Sequence, residues 1–380
     1  MNIGYEAKRI THNATGLGNY GRFIIRILAT YYPDNIYNLY SPSPGKERLR
    51  CQIENLSGIR FHYPEKFFHK MFKFIWRSGA LVTTLKRDKV ELFHGLSNEL
   101  PLGLAKNHIP SIVTIHDLIF LRYPEFYKPI DRCIYTYKFK RACRQADRII
   151  AVSEMTKQDI IHFFGIDEKK ISVVYQGCDA SFTHPVSNEV KKQVKKTYRL
   201  PEKYILNVGS IESRKNLMLI VKAMALLEDK EIALVAVGKH TPYTDEVEQY
   251  IQEHHLSDRI FLRSDVSFAD LPAIYQMASL FIYPSFFEGF GIPIIEAIHS
   301  GLPVIAATGS CLEEAGGPGS VYINPNDEVA LAGKINQIFS SPELAEKMKT
   351  EGKTYVQRFE DEVIAKQLID IYQSVARLRP

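Results

Sequence analysis

Five cysteines in 380 residues, Cys51, Cys133, Cys143, Cys178 and Cys311, are an odd number, stand far apart and form no CxxC pair. That pattern argues against a disulfide framework and against a zinc site. It leads us to expect a reducing, cytoplasmic compartment. No uncharged apolar run reaches the roughly 18 residues that cross a bilayer. The opening MNIGYEAKRI has no signal-peptide core. GxxxxGK[ST] is absent, so a P-loop NTPase is not expected. No HxH or HExxH spacing suggests a metal. No zinc finger or aromatic RNA-binding pattern is visible, and no repeat of solenoid length.

What is present is an ordinary soluble composition, 45% hydrophobic and 24% charged. The length favours two domains. The net charge of +5 hides an asymmetry. Residues 1–180 carry 27 Lys and Arg against 17 Asp and Glu, a net of +10, and the remainder is net −5. A basic half suggests an anionic partner for it, either nucleic acid or an anionic membrane surface.

Short apolar runs alternate with helical stretches. Strands are predicted at 2–7, 91–96, 111–116, 148–153 and 171–175. A second series falls at 203–209, 232–238, 259–262, 280–284, 303–307 and 321–325. They are rich in β-branched residues with little polar alternation, the look of parallel strands covered on both faces. Helices are expected at 18–31, 131–146, 154–164, 216–228, 244–254 and 327–340. The alternation predicts an α/β protein with doubly wound parallel sheets. The polar stretch 180–202 interrupts it, so the inter-domain connection is placed near residue 185. Two such domains in series would leave a cleft, with ligands at the carboxyl ends of the strands.

Four motifs stand just past strands. SFFEGFGIPIIEAIHSG (285–301) holds Glu288 and Glu296, eight positions apart. Glu288 follows a buried strand, and the amides of Gly289, Phe290 and Gly291 could donate to a polyhydroxylated ligand. Pro293 suits a first helical turn, and Glu296 is read as falling in that turn, favourable to the helix dipole. In GSIESRKN (209–216), Arg214 and Lys215 stand at a helix start, the wrong end for cations unless an anion is bound. In ATGLGNYG (14–21), Gly16 and Gly18 lead into an amphipathic helix and suggest a phosphate-cradling turn or a plain helix start. No acidic residue follows the second strand as a dinucleotide site would want. In VTIHDL (113–118), His116 ends a buried strand as a binding or acid/base candidate. For His116 the alternative is a hydrogen-bonded structural histidine, and His94 is a weaker candidate. A fifth stretch, PEKFFHKMFKFIWR (64–77), is basic and aromatic. It reads either as an interfacial membrane helix or as a helix covering the sheet.

Taken together, these residues resemble glycosyltransferase family 4, retaining enzymes of the GT-B fold, along nearly the whole chain. The likeness is closest to mannosyltransferase-like bacterial members that build surface polysaccharides. E-x7-E is Glu288 and Glu296, GSIESRKNL is similar to the family's GTLEPRKNL, and VTIHDLIFLRYPEFY to its histidine segment. DVSFADLPAIYQMASLFIYPS is similar to its nucleotide-base loop and the strand that follows.

The resemblance implies two Rossmann-like domains facing a cleft, 1–185 on the acceptor side and 186–357 on the nucleotide-sugar side. A helix within 358–380 would cross back to the first. Arg214 and Lys215 would hold the donor diphosphate, Glu288 and the 289–291 amides the donor sugar, and Glu296 the ribose. Val266 would lie beside the base. Gly16 and Gly18 would let the backbone approach the phosphates and acceptor, and His116 would contact the sugar. The expected donor is GDP-mannose, with no metal, and the acceptor a glycan or lipid-linked saccharide in lipopolysaccharide-type synthesis. The expected location is cytoplasmic, peripheral on the inner membrane face in one reading, with no nucleic acid bound. Ser210 replaces an arginine that some members carry, and YEAK replaces the usual IDAR near the N-terminus. The rivals are a sugar-nucleotide epimerase of similar fold and a non-catalytic nucleotide-sugar-binding partner.

Overall fold

The computed structural model describes residues 1–65, 72 and 76–378. The basic-aromatic stretch read at 66–77 lies outside the described residues apart from Phe72, Trp76 and Arg77. Two compact units are present, Met1–Gly177 with Phe359–Pro380, and Cys178–Arg358.

In the first unit, β1 (Asn2–Glu6), β2 (Ile36–Tyr40), β3 (Ile59–His62), β4 (Leu92–Gly95), β5 (Ser111–Ile115), β6 (Arg148–Ala151) and β7 (Ile171–Val173) form one sheet. Its order is β3-β2-β1-β4-β5-β6-β7. Every pair is parallel, with Ile3 opposite Tyr37 and Val113 opposite Ile149. β5, SIVTI, is buried at all five positions, as a strand covered on both faces must be.

β2 and β3 escaped the sequence reading. IYNLY carries a polar Asn38 in a short run, and IRFH is a four-residue edge strand with a charge. Asn38 is buried against the Asn2 side chain and accepts from His62 at 2.8 Å. α1 (Gly16–Tyr31) follows β1, and α2 (Pro129–Gln145) precedes β6. The C-terminal helix Asp361–Ala376 belongs to this unit. Its buried Tyr372 meets His94 at 2.6 Å, and its Asp361 pairs with Arg26 at 2.8 Å.

The second unit starts at Cys178, ahead of the connection placed at 185, and the reason is packing. Phe182 is fully buried and sits edge-on to Tyr275 at 5.3 Å. Gln276 holds His184 O and Val186 N. The polar stretch taken for a linker holds α3 (Asn188–Tyr198), capped by Ser187 and ended by left-handed Arg199. It buries only Val194 and Tyr198, so its apolar signal was thin.

The second sheet comprises β8 (Tyr204–Val208), β9 (Ala233–Val237), β10 (Ile260–Arg263), β11 (Leu280–Tyr283), β12 (Val304–Ala307) and β13 (Val321–Ile323). It is also wholly parallel, in the order β10-β9-β8-β11-β12-β13. Its core is aliphatic, with Ile205, Leu234, Ile282 and Ile305 under Ile220 and Met224 of α4 (Leu217–Leu226).

Each sheet has a point where the chain reverses its direction of strand addition. In the first it lies between β1 and β4, and in the second between β8 and β11. Open α/β sheets bind ligands at the carboxyl ends of the strands flanking such points.

Candidate active site

β8 delivers Gly209, Ser210, Arg214 and Lys215 to the second switch point, and β11 delivers Ser285 and Glu288. Residues 213–215 form a single 3-10 turn, and Asn216 takes left-handed angles before α4 begins. The Asn216 side-chain amide donates to Pro284 O at 3.2 Å and Pro325 O at 2.7 Å. Phe286 N donates to Arg214 O at 2.9 Å, so the two loops are tied backbone to backbone. Gly209 leaves room that Lys215 uses, since a Cβ there would stand 3.0 Å from Lys215 Cδ. At Gly238, past β9, a Cβ would fall 1.7 Å from Gly209 O.

The result is a tight charged cluster. Glu288 Oε1 accepts from Lys215 Nζ at 3.0 Å, Arg214 Nη1 at 2.9 Å, Ser285 Oγ at 2.8 Å and Tyr283 OH at 3.1 Å. Lys215 Nζ also donates to Tyr283 OH at 2.7 Å. Arg214 reaches Glu212 at 2.8 Å and Phe287 O. Burial alone would raise the Glu288 carboxyl. Lys215 and Arg214 outweigh it and pull the group down to about 2. Burial opposes the charge on both cations, but Glu288 and Glu212 raise Arg214, and Tyr283 followed by Glu288 raises Lys215. The anion that the helix-start cations called for is therefore supplied, in this state, by Glu288.

Glu296 has the opposite environment. It lies in the second turn of α6 (Ile292–His299), not the first, so the dipole argument does not hold it. Pro293 does occupy the first turn. Among the described residues, one hydroxyl serves the Glu296 carboxylate, Tyr275 OH at 2.9 Å, from α5 (Leu271–Met277). Burial raises it to about 7, with the Tyr275 hydroxyl opposing and Asp179 adding.

The glycine loop between the two carboxylates is pinned from beneath. Phe290 is buried, and the Cys311 thiol donates toward Glu288 O at 3.0 Å and Phe290 O at 2.8 Å. Gly291 caps α6, where a Cβ would stand 2.9 Å from Ala315 Cβ. Ser210 is half-buried beside Gly209 and makes none of the cluster's bonds. Val266 is half-buried on the turn after β10. Tyr283, Ser285, Tyr275 and Cys311 were missed from sequence. A tyrosine closing the apolar run LFIY was a legible signal for the first of them.

His116 belongs to the first unit, one residue past β5. It is buried and meets Tyr20 edge-on at 4.6 Å. Its Nε2 bonds Leu96 O at 2.8 Å, and a carbonyl only accepts, so Nε2 carries the proton and Nδ1 the lone pair. Burial lowers its pKa to about 4, against the Leu96 bond, so it is neutral near pH 7. His94 is structural. Both nitrogens are taken, by Tyr372 OH and by Thr114 Oγ1 at 2.8 Å, and burial lowers it to about 3.

Gly16, Gly18 and Gly21 carry the GxGxxG spacing. Gly18 and Gly21 nevertheless face their own chain. A Cβ would stand 1.9 Å from Asn13 O at Gly18 and 2.6 Å from Ile10 Cγ1 at Gly21. Gly16 opens to free space. Buried Arg22 braces the turn by donating to Ile10 O at 2.7 Å and Asn13 O at 3.0 Å. No carboxylate bonds it among the described residues, so its charge adds to the positive potential at this helix start.

Comparison with known proteins places this architecture. The family model for Glycosyl transferases group 1 matches residues 188–355, and that for Glycosyltransferase Family 4 matches residues 36–182. The chain belongs to this glycosyltransferase family, with the GT-B fold. An O-antigen chain mannosyltransferase B of Escherichia coli is 26% identical over 389 residues, covering 98% of this chain and 100% of that protein. O-antigen chain mannosyltransferase RfbU of Salmonella typhimurium is 28% identical over 248 residues, 65% of each chain. Among solved structures, Anabaena HepE in complex with UDP superposes with a TM-score of 0.77 at 18% identity, over 98% of this chain and 100% of that one. Sucrose-phosphate synthase of Thermosynechococcus elongatus gives 0.75 at 21%, over 98% of each. These two share the fold. Nothing found supports the epimerase alternative.

Proposed function

We propose that this glycosyltransferase moves a mannosyl group from GDP-mannose to a saccharide of a surface polysaccharide, with retention of anomeric configuration and without a metal. The observation that carries the reading is the Arg214–Lys215–Glu288 cluster at the second switch point. Two cations and the start of α4 converge where a diphosphate would sit. They would neutralise charge as the diphosphate leaves, the term of greatest expected weight in such a transfer. Mannose and the polysaccharide acceptor are supported by the names of the relatives. Glu288 and the backbone of 289–291 would hold the donor sugar, Glu296 the ribose, Val266 the base, and His116 Nδ1 a sugar hydroxyl. The open Gly16 turn, backed by Arg22, would face anionic groups.

Retention is what the resemblance to family 4 implies, and Glu288 bears on the route rather than on the outcome. A carboxylate that accepts from four donors and is held near 2 is a poor nucleophile, and glycosidase-type double displacement needs a reactive carboxylate about 5 Å from its partner acid. Of the two retaining routes, same-face attack is the one we propose: the acceptor oxygen bonds the anomeric carbon as the bond to the diphosphate breaks, and the hydroxyl proton passes to the leaving phosphate oxygen.

The test is transfer from GDP-mannose to a polysaccharide fragment in EDTA, with the product anomer read by NMR. An α-linked product at undiminished rate is expected. A β-linked product would overturn retention, and loss of rate restored by magnesium would overturn metal independence. Peripheral attachment to an anionic membrane is a separate part of the reading, supported by the +10 charge of residues 1–180. Co-sedimentation with anionic but not neutral vesicles at low salt checks it. Among the described residues, no helix is long and apolar enough to cross a membrane.

A further inference from the structure

The first sheet has its own switch point, and a cavity of about 380 Å³ opens there. Glu6, the last residue of β1, lines it with Arg77, Glu99, Lys138 and Arg141. Leu100, Pro101, Ile134 and Tyr137 supply apolar walls, and Tyr137 and Ile134 are 67% and 44% exposed. The two carboxylates are already engaged. Glu6 takes Arg77 at 3.1 Å and Ser97 at 3.2 Å, and Glu99 takes Arg77 at 3.2 Å and Lys138 at 3.4 Å.

Arg141 is left over. It makes one long bond, to Leu100 O at 3.4 Å, its guanidinium lies 5.9 Å from the Tyr137 ring, and its buried Nε has no partner. Three cations thus face two carboxylates, with a buried N–H unanswered, in a place where the fold binds ligands. Nearby Lys8 is pushed down, by burial first and then by Arg77 and Arg9.

We infer that this cavity is the acceptor subsite and takes a sugar ring bearing an anionic group, a phosphate or a carboxylate. Arg141 and Lys138 hold the charge, and the exposed face of Tyr137 lies against the ring. The glycosyltransferase reading supplies only the word acceptor; the ligand chemistry follows from the cavity.

Cys133 also lines the cavity and is exposed, which gives a direct readout. In a Cys51→Ser background, removing the other exposed cysteine, the rate of Cys133 alkylation by iodoacetamide is followed with GDP saturating the donor site. A hexose 6-phosphate or a hexuronate at ten times its dissociation constant is expected to slow alkylation about tenfold. The neutral hexose at the same concentration is expected to leave the rate unchanged. Arg141→Gln should raise the sugar phosphate concentration needed by about tenfold, and the half-exposed Lys138→Gln by less, with GDP affinity unchanged in both. Equal protection by neutral hexose, or by inorganic phosphate alone, would overturn the inference, as would full protection in both variants. Failure of GDP to bind the parent protein would instead strike the donor reading and leave the protection result standing.

Discussion

The two switch points occupy the same topological place and differ in how their charges are met. At the second, each charge has an opposite charge about 3 Å away, and the cluster is closed among its own side chains. At the first, cations outnumber carboxylates, one buried N–H is unanswered and the walls are apolar and partly exposed. Topology places both switch points, and residue chemistry would decide what each receives. A diphosphate leaving group is one fixed chemistry and suits a rigid ionic seat. An acceptor differs from enzyme to enzyme and suits an open, adjustable one.

The sharpest break in this comparison comes from Glu288→Gln. Removing the charge that bonds both Arg214 and Lys215 should cost about 3 kcal/mol of the second unit's stability. A nucleoside diphosphate should restore it by occupying the same seat, and transfer should fall by two orders of magnitude or more. Denaturant melts with and without GDP check the stability part. Glu288 is held below its unfolded value, so its contribution is complete at neutral pH and is lost as pH falls through about 2.

Glu296 runs the other way. Its folded pKa is raised to about 7, so the folded state holds its proton longer than the unfolded one, and stability declines as pH rises from the unfolded carboxylate value through about 7. Ribose hydroxyls donate best to the ionised form, so GDP affinity should climb between pH 6 and 8, beyond the nucleotide's own ionisation. Calorimetric titrations of wild type and Glu296→Gln across that range decide it. An identical slope in both would remove the residue from the ribose.

The smallest effect belongs to Cys311. Cys311→Ala removes the single S–H that Glu288 O and Phe290 O share under the glycine loop and should cost about 1 kcal/mol. It should raise the KM for the donor more than it lowers kcat, with Cys311→Ser recovering most of the loss. An unchanged KM in Cys311→Ala would leave the thiol as filler.

How much of this was legible follows the kind of signal each part sends. Buried parallel strands such as SIVTI and ALVAV announce themselves by unbroken apolar runs, and Arg214, Lys215 and Glu288 by charge placed just past them. IYNLY and IRFH were hidden because a polar or charged residue interrupts a short run. α3 was hidden because only Val194 and Tyr198 anchor it. The meeting of Arg214, Lys215 and Glu288 on one oxygen was not readable, since it depends on the β8–β11 register and on left-handed Asn216. Gly18 misled in the other direction: its spacing suggests room for a phosphate, and Asn13 O fills that room.

The central claim is that Arg214 and Lys215 form an anion seat which Glu288 occupies from within. GDP affinity measured by calorimetry on wild type, Lys215→Ala and Glu288→Gln tests it most directly. The account predicts a loss of about tenfold or more in Lys215→Ala, and affinity equal to or tighter than wild type in Glu288→Gln, because the internal competitor is gone. Equal weakening in both variants would contradict it.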